Sequence, residues 1–458
     1  MLMHNGAVLK PKEMAAQLQR DYGTHCNTDS MIDVETDGND VFKYCFMALS
    51  ASIRDFLSSG CPIIVVDATH LKEKYKGVMF VVVSKDGNEQ VFPLAVGLGD
   101  KENDSSCSSF FTRLRHAFGV PDNLLFVSDQ HMSIKNVVEA VFPGVPRGLC
   151  TYHLQKNLAR YGANIVAMFQ RAANSYRREI FYLHFGQLGL LQDKAAYRKL
   201  MDAQPSRWAR SHCGVRRYNF MTSNCAEVFN DRLRWGRRLP VCTLLEFVRT
   251  LVAHWFAERR SKAMARTHPL TEYAALKLDI SVEEGRIMEC QKYVVDLRAR
   301  SCSYHEFDLD LIPCSHVAAA IFKSKQSCIP YVSSYYTTET LCEMYSMDVN
   351  HIPHQDDWDV SLDVRTRVVG VPDNPKQSGR LRTSRIPSAV ESSTRSCVSV
   401  CSRCHQSGHY KSSCKEEVPI PPQSEDQEVD CPRPAKRCSI YHDTGHTKRK
   451  CRLFDPSA

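Results

Sequence analysis

Apolar runs separated by turn signals fill the middle of the chain, and their spacing predicts an ordered series of elements. Four consecutive β-branched residues, Ile63 to Val66, have the composition of a strand buried on both faces. That strand runs into Asp67 and then into a polar, basic stretch ending at Lys76. Gly77 to Lys85, with its VMFVVV core, reads as a second strand, Asp86-Gly87-Asn88 as a turn, and Gln90 to Gly97 as the returning strand. Turns this short make the three an antiparallel meander. Ser105 to Phe118 puts Phe110, Phe111, Leu114 and Phe118 on one helical face and ends at Gly119-Val120-Pro121. Leu124 to Ser128 is the next strand, followed by Asp129, and Ile134 to Phe142 is the next helix. Upstream, Val41 to Leu57 has apolar residues at helical spacing and is expected to be an amphipathic lead-in helix, while residues 1–40 show little pattern and read as a remnant or tail.

The predicted order β-β-β-α-β-α gives an α/β class, with two strands ending in Asp. It resembles the ribonuclease-H-like fold, which carries one catalytic carboxylate on its first strand and another on the strand after the helix. Residues 150–220 read as a helical insertion. In MTSNCAEVFNDRL, Ser223 or Asn224 is the expected N-cap of a helix on which Glu227 faces the same way as Asn230, Asp231 and Arg234. Thr243 to Phe256 is a further helix. The expected division is a remnant and lead-in over 1–58, a catalytic domain over 59–265, a small Cys/His unit over 266–345, a Pro- and Ser-rich linker over 346–396, and Cys/His modules over 397–458.

Composition narrows the partners. The 458 residues carry a net charge of +8, unevenly placed. Residues 198–238 hold ten Lys or Arg against three acids, and residues 431–458 hold seven against two, which favours a polyanion as partner. The twenty Cys follow no apolar leader, and no run of about 18 apolar residues occurs, so neither secretion nor a membrane span is expected. Reduced Cys grouped with His point to metal sites rather than disulfides.

A carboxylate at the end of a buried strand is costly unless paired or holding a cation. Asp67 alone is therefore either a strand-end cap or a ligand. Together, Asp67, Asp129 and Glu227 are a candidate set of hard oxygen ligands for the paired Mg²⁺ or Mn²⁺ ions, about 4 Å apart, that phosphodiester chemistry uses. The words VDATHLKEKYKG, VSKDGNEQVFPLAVGLGDKEND, LLFVSDQHMSIKNVVEAVFPGVPRGLCTYHLQKNL, MTSNCAEVFNDRL and RRLPVCTLLEFVR closely resemble the transposase domain of plant Mutator-like elements, over about residues 41–345. The resemblance implies an Asp-Asp-Glu triad at Asp67, Asp129 and Glu227, hydrolysis at element ends followed by strand transfer, DNA as partner, the nucleus as location, and action as a homo-oligomer. It also implies a role, functional or structural, for the Cys-x-x-His pair Cys150 and His153, which by itself is weak evidence for a metal. Lys72, Lys74, Lys76 and Arg234 are candidate phosphate contacts.

Zinc modules follow. Cys401, Cys404, His409 and Cys414 form an unbroken CCHC knuckle, a tetrahedral Zn²⁺ pattern whose usual partner is single-stranded nucleic acid. A second copy keeps Cys438, His446 and Cys451 but has Tyr441 in place of its second Cys. Residues 302–316 resemble the SWIM zinc finger, with Cys302, Cys314 and His316 in place and Tyr304 where the second Cys belongs. His305 and His442 follow the two tyrosines as candidate substitute ligands. Loss of one ligand in four weakens zinc binding and the folding coupled to it. A catalytically idle or domesticated DNA- and zinc-binding derivative is therefore the competing reading.

Overall fold

The computed structural model describes residues 30–37, 41–71, 77–190, 194–288 and 293–349. Its centre is a seven-stranded mixed sheet of order β1-β2-β5-β4-β3-β6-β7. The strands are β1 (Met31–Thr36), β2 (Phe42–Ala48), β3 (Ile63–His70), β4 (Val78–Lys85), β5 (Val91–Gly99), β6 (Leu125–Ser128) and β7 (Arg147–Leu149), with α1 (Ser50–Ser59) between β2 and β3. β3, β4 and β5 form the antiparallel meander, while β6 and β7 lie parallel to β3. The fold is thus α/β.

The N-terminal expectation is corrected. Phe42–Ala48 is a strand and only Ser50–Ser59 is helical, and Met31–Thr36 forms the edge strand of the sheet. Tyr44 to Leu49 are consecutively buried. A continuous apolar run fits a helix or a doubly covered strand equally well; pairing of β2 with both β1 and β5 decides for the strand.

Sheet register sorts the side chains onto two faces. Ala68, Phe80, Gly97 and Phe46 are paired across four strands and share one face. That face receives α2 (Asp104–Phe118), whose Phe110 stacks on Phe80 with centroids 5.2 Å apart and tilts against Phe46 at 5.4 Å. Gly97 is required there, because a Cβ would stand 2.2 Å from the Phe110 ring. α3 (Met132–Val141) packs beside α2. Asp67, Val81, Val96 and Met47 are the next paired set and therefore point to the opposite face.

After β7 come α4 (Thr151–Leu158), α5 (Ala163–Asn174), α6 (Arg178–Gly189), α7 (Ala195–Asp202) and the short α8 (Pro205–Trp208). They close on their own core, in which Trp208 meets Phe169, Phe181 and Phe185 and donates from its indole to Leu200 O at 3.1 Å. The chain then returns through α9 (Asn224–Arg232), which lies across β3, β4 and β5, and the long α10 (Val241–Met264), whose Phe256 meets Phe92 of β5. These two helices cover the Asp67 face.

The last described part holds α11 (Glu272–Arg286), the two-residue strands β8 (Val295–Asp296) and β9 (Ser301–Cys302), then α12 (Glu306–Asp310), α13 (Ser315–Lys323) and α14 (Thr338–Glu343). It is tied into the sheet core rather than set apart: Leu341, Met344 and Tyr345 are buried in that core, and Tyr345 donates to Asp86 at 2.8 Å. Among the described residues no helix is long and apolar enough to cross a membrane.

Candidate metal and nucleic-acid site

The parallel register of β3 and β6 ends at Val65 opposite Val127. Asp67 and Asp129 each stand two residues further on, so both carboxylates leave the same face side by side; Asp129 follows the end of β6, whereas β3, expected from the sequence to end at Asp67, runs on to His70 through its pairing with β4. Glu227 comes to them from α9, on the first turn of that helix. One turn later Asn230 donates from Nδ2 to Asp67 Oδ2 at 2.6 Å. The amide seats the helix on the carboxylate and leaves Glu227 above the same face.

The three acids act on one another's charge. Burial, then the charge of Asp129 and that of Glu227, push the Asp67 carboxyl up to about 6, against the opposing effects of His153 and the Asn230 hydrogen bond. Glu227 Oε1 and Asn230 Oδ1 are buried and accept no hydrogen bond among the described residues. Like charges that the His153 imidazole offsets only in part, plus two orphaned oxygens, are the environment a divalent cation satisfies. The three carboxylates are not drawn within 4.8 Å of one another, as the Cys/His group described below is.

Cys150 and His153 lie against this site through α9. Thr151 N and Oγ1 both donate to Met221 O, at 2.9 and 2.8 Å, and the Ser223 N–H donates to Cys150 Sγ at 3.1 Å. Ser223 precedes α9 but does not cap it; its hydroxyl is 3.4 Å from His153 Nδ1, while His153 Nε2 is 3.7 Å from Glu227 Oε1. The pair therefore fastens the start of α4 to the start of α9. Hydrogen bonds from His153 and Ser223 hold the Cys150 thiol below its usual range despite burial, and Cys150, followed by the acids, raises His153.

Four flanking residues escaped the sequence reading. Glu102, between β5 and α2, faces His131 Nδ1 at 3.4 Å, and its carboxyl is raised by burial and, after His131's opposing pull, by the Asp129 charge. The His131 N–H donates to Asp129 Oδ1 at 2.9 Å. Buried Arg147 donates to Ser128 Oγ at 3.0 Å and Asp129 O at 3.1 Å, bracing the end of β6. Arg237 donates to Thr69 Oγ1 and to His70 O, bracing the end of β3. Only clustering in space marks Glu102, Arg147 and Arg237, since each is remote in sequence from the acid it serves; His131 is two residues from Asp129 but acts there through its backbone N–H.

Other expected residues stand elsewhere. Arg234 is exposed and paired with Asp231. Lys72, Lys74 and Lys76, and the ligands Cys401, Cys404, His409, Cys414, Cys438, His446 and Cys451, lie outside the described residues. Cys302 of β9, Cys314 and His316 do converge, with one ligand atom from each within 4.8 Å of the others. The donor set, two thiols and an imidazole, suits Zn²⁺. The Tyr304 ring lies 4.9 Å from that of His316 and the Tyr293 ring 4.3 Å from it. His305 is not drawn in: it takes a left-handed backbone (φ 70°), its ring is exposed, and Nδ1 lies 3.7 Å from Asp308 Oδ2. The αL turn swings the ring outward, which explains why adjacency in sequence does not make it a ligand.

Comparison with known families finds one match: residues 63–157 fit the MULE transposase domain. No curated protein matches the chain. The matched stretch runs from β3 into α4 and includes Asp67, Asp129, Cys150 and His153; Glu227 and the Cys302 group lie beyond it.

Proposed function

We propose that this chain is a DNA transposase of the Mutator-like class, built on a ribonuclease-H-like sheet in which Asp67, Asp129 and Glu227 hold two Mg²⁺ or Mn²⁺ ions. The observation that carries the reading is Asp67 and Asp129 side by side on one sheet face, with the helix of Glu227 seated there by Asn230 and an orphaned oxygen at Glu227, in a chain whose residues 63–157 match the MULE transposase domain. When bound, the cations supply the positive charge that aligns and activates the oxygens of a phosphodiester. The chain's own residues do the positioning. Asn230 fixes one oxygen of Asp67 and leaves the other free. The His131 N–H and Arg147 hold Asp129 and its strand end. His153 stands beside Glu227 and steadies its charge. The reaction is hydrolysis at an element end, followed by attack of the freed 3′-hydroxyl on target DNA in the nucleus.

Cys302, Cys314 and His316 hold a structural Zn²⁺ in this reading, and the knuckle of Cys401, Cys404, His409 and Cys414 takes single-stranded nucleic acid. A non-catalytic DNA- and zinc-binding derivative is the second reading, favoured by a Cys302 group of three donors with Tyr304 where the sequence pattern expects a second Cys. The test is Mg²⁺- or Mn²⁺-dependent cleavage of DNA carrying the terminal repeats that flank the chain's own coding sequence, compared with Asp67→Ala. Cleavage lost in the variant supports the first reading; DNA binding without cleavage by the parent selects the second.

A further inference from the structure

Trp235 has no part in either ligand set, yet its setting is built. It lies just beyond α9, and 59% of its surface is exposed. Its ring meets Phe247 of α10 at 5.6 Å between centroids, close to edge-on. The next residue, Gly236, leaves no room for a side chain: a Cβ would stand 2.6 Å from Phe247 Cδ1 and 3.3 Å from Leu244 Cδ1. The turn is therefore pressed onto α10. The residue after that, Arg237, is buried and bonded to Thr69 and His70, two and three positions past Asp67 on β3. A solvent-facing indole is thus secured, through its two successors, to a core helix and to the strand that bears Asp67.

The neighbours select the partner. Residues 231–238 contain four Arg against one Asp, and Arg232 and Arg238, close to the indole in the chain, are exposed, as is Arg234, which pairs with Asp231. An apolar protein partner would leave these guanidinium groups desolvated and unpaired. A nucleic-acid strand satisfies both features, with a base on the ring and phosphates on the cations. A base inside a duplex offers no free face sideways, so the occupant must be unstacked. A ring already held by Phe247 loses little freedom on stacking.

We propose that Trp235 is a stacking platform for an unpaired nucleobase of the DNA strand lying beside Asp67, with the exposed arginines on its flanking phosphates. This rests on the DNA reading above and adds that the bound DNA is locally opened at this point. The test uses the full chain, without added Mg²⁺, and two duplex oligonucleotides, one fully paired and one with a single unpaired 2-aminopurine. Expected for the parent is quenching of the 2-aminopurine on binding, kept in part by Trp235→Phe. Trp235→Ala should lose the quenching and roughly 5- to 100-fold in affinity for the unpaired probe, with paired-duplex affinity changed by less than about twofold. Its unfolding midpoint should match the parent's, because the ring is largely exposed. Retained quenching and affinity in Trp235→Ala, or equal losses on both probes, would overturn the stacking site and leave the DNA reading standing. Failure of the parent to bind either probe overturns both.

Discussion

Asn230 donates its side-chain amide to Asp67 at 2.6 Å, joining α9 to β3 across 163 residues of sequence. The contact orients one carboxylate oxygen and sets how far Glu227, one turn earlier, stands from it. Asn230→Ala should fold and still bind DNA, but lose about 10- to 100-fold in divalent-dependent cleavage, as expected when the partner of a metal ligand is removed. Asn230→Asp should lose more, since it adds a further charge to a site that already raises Asp67. Equal activity in parent and Asn230→Ala would remove the amide from the mechanism.

Divalent ions should stabilise the chain through the same acids. At about 100-fold excess over its dissociation constant, Mn²⁺ is expected to add about 2.7 kcal/mol to the unfolding free energy. The gain should be absent in Asp67→Asn. Asp67 is pushed up to about 6, so protons compete with the ion in that range. The Mn²⁺-induced shift in Tm should therefore shrink as pH falls through about 6, with the zinc content of the sample held constant.

Much of the sheet was legible because buried strands advertise themselves: Ile63 to Val66 and the VMFVVV run have no alternative use. Phe42–Ala48 was not, because its apolar run suits a helix until β1 and β5 are seen on either side. Of the site, the acids could be read from strand ends and from helical phase, which also put Asn230 on the side of Glu227. Glu102 and Arg237 could not, since nothing local marks a half-buried loop acid or a buried arginine until the chain returns beside Asp129 and Thr69.

A buried ion pair ties the helical insertion to α12. Arg210 Nη1 lies 3.1 Å from Asp310 Oδ1, with side chains 8% and 4% exposed, and Tyr176 donates to Asp310 Oδ2 at 2.7 Å. Removing one partner strands the other charge, so Asp310→Ala should cost about 3–5 kcal/mol in urea unfolding. Lys277 also pairs with Asp310 but stands 4.0 Å from Glu306, which can take it over, so the double variant Arg210→Met, Asp310→Leu should cost less than Asp310→Ala alone. A larger loss in the double variant would show that the pair is worth more than its desolvation.

Asp55 should make stability depend on pH. It is 2% exposed, accepts from the backbone N–H of Met347, and has an Oδ2 without a hydrogen-bond partner among the described residues. Burial pushes its carboxyl up to about 7, from 3.8 in an unstructured chain. The folded state therefore holds this proton more tightly than the unfolded state. Its contribution is fully present below about pH 4 and is lost as pH rises to about 7. Asp55→Asn, which mimics the protonated form, should exceed the parent by on the order of 2 kcal/mol at pH 8 and match it near pH 4. Unfolding curves at the two pH values check this; a constant difference between parent and variant would exclude Asp55 as its source.

Tyr304 faces the group formed by Cys302, Cys314 and His316, its ring 4.9 Å from that of His316. Phenol is a poor zinc ligand, so three donors would hold a zinc ion where a closed structural site has four. Tyr304→Cys should complete the tetrahedron and raise zinc affinity at this position by roughly tenfold or more. His305→Ala should leave the affinity of the parent unchanged, because that ring is turned toward Asp308. Competition with a chromophoric chelator, in a chain carrying Cys401→Ser and Cys404→Ser to silence the knuckle, measures both. A loss of zinc in His305→Ala would show that the imidazole swings inward when the metal arrives.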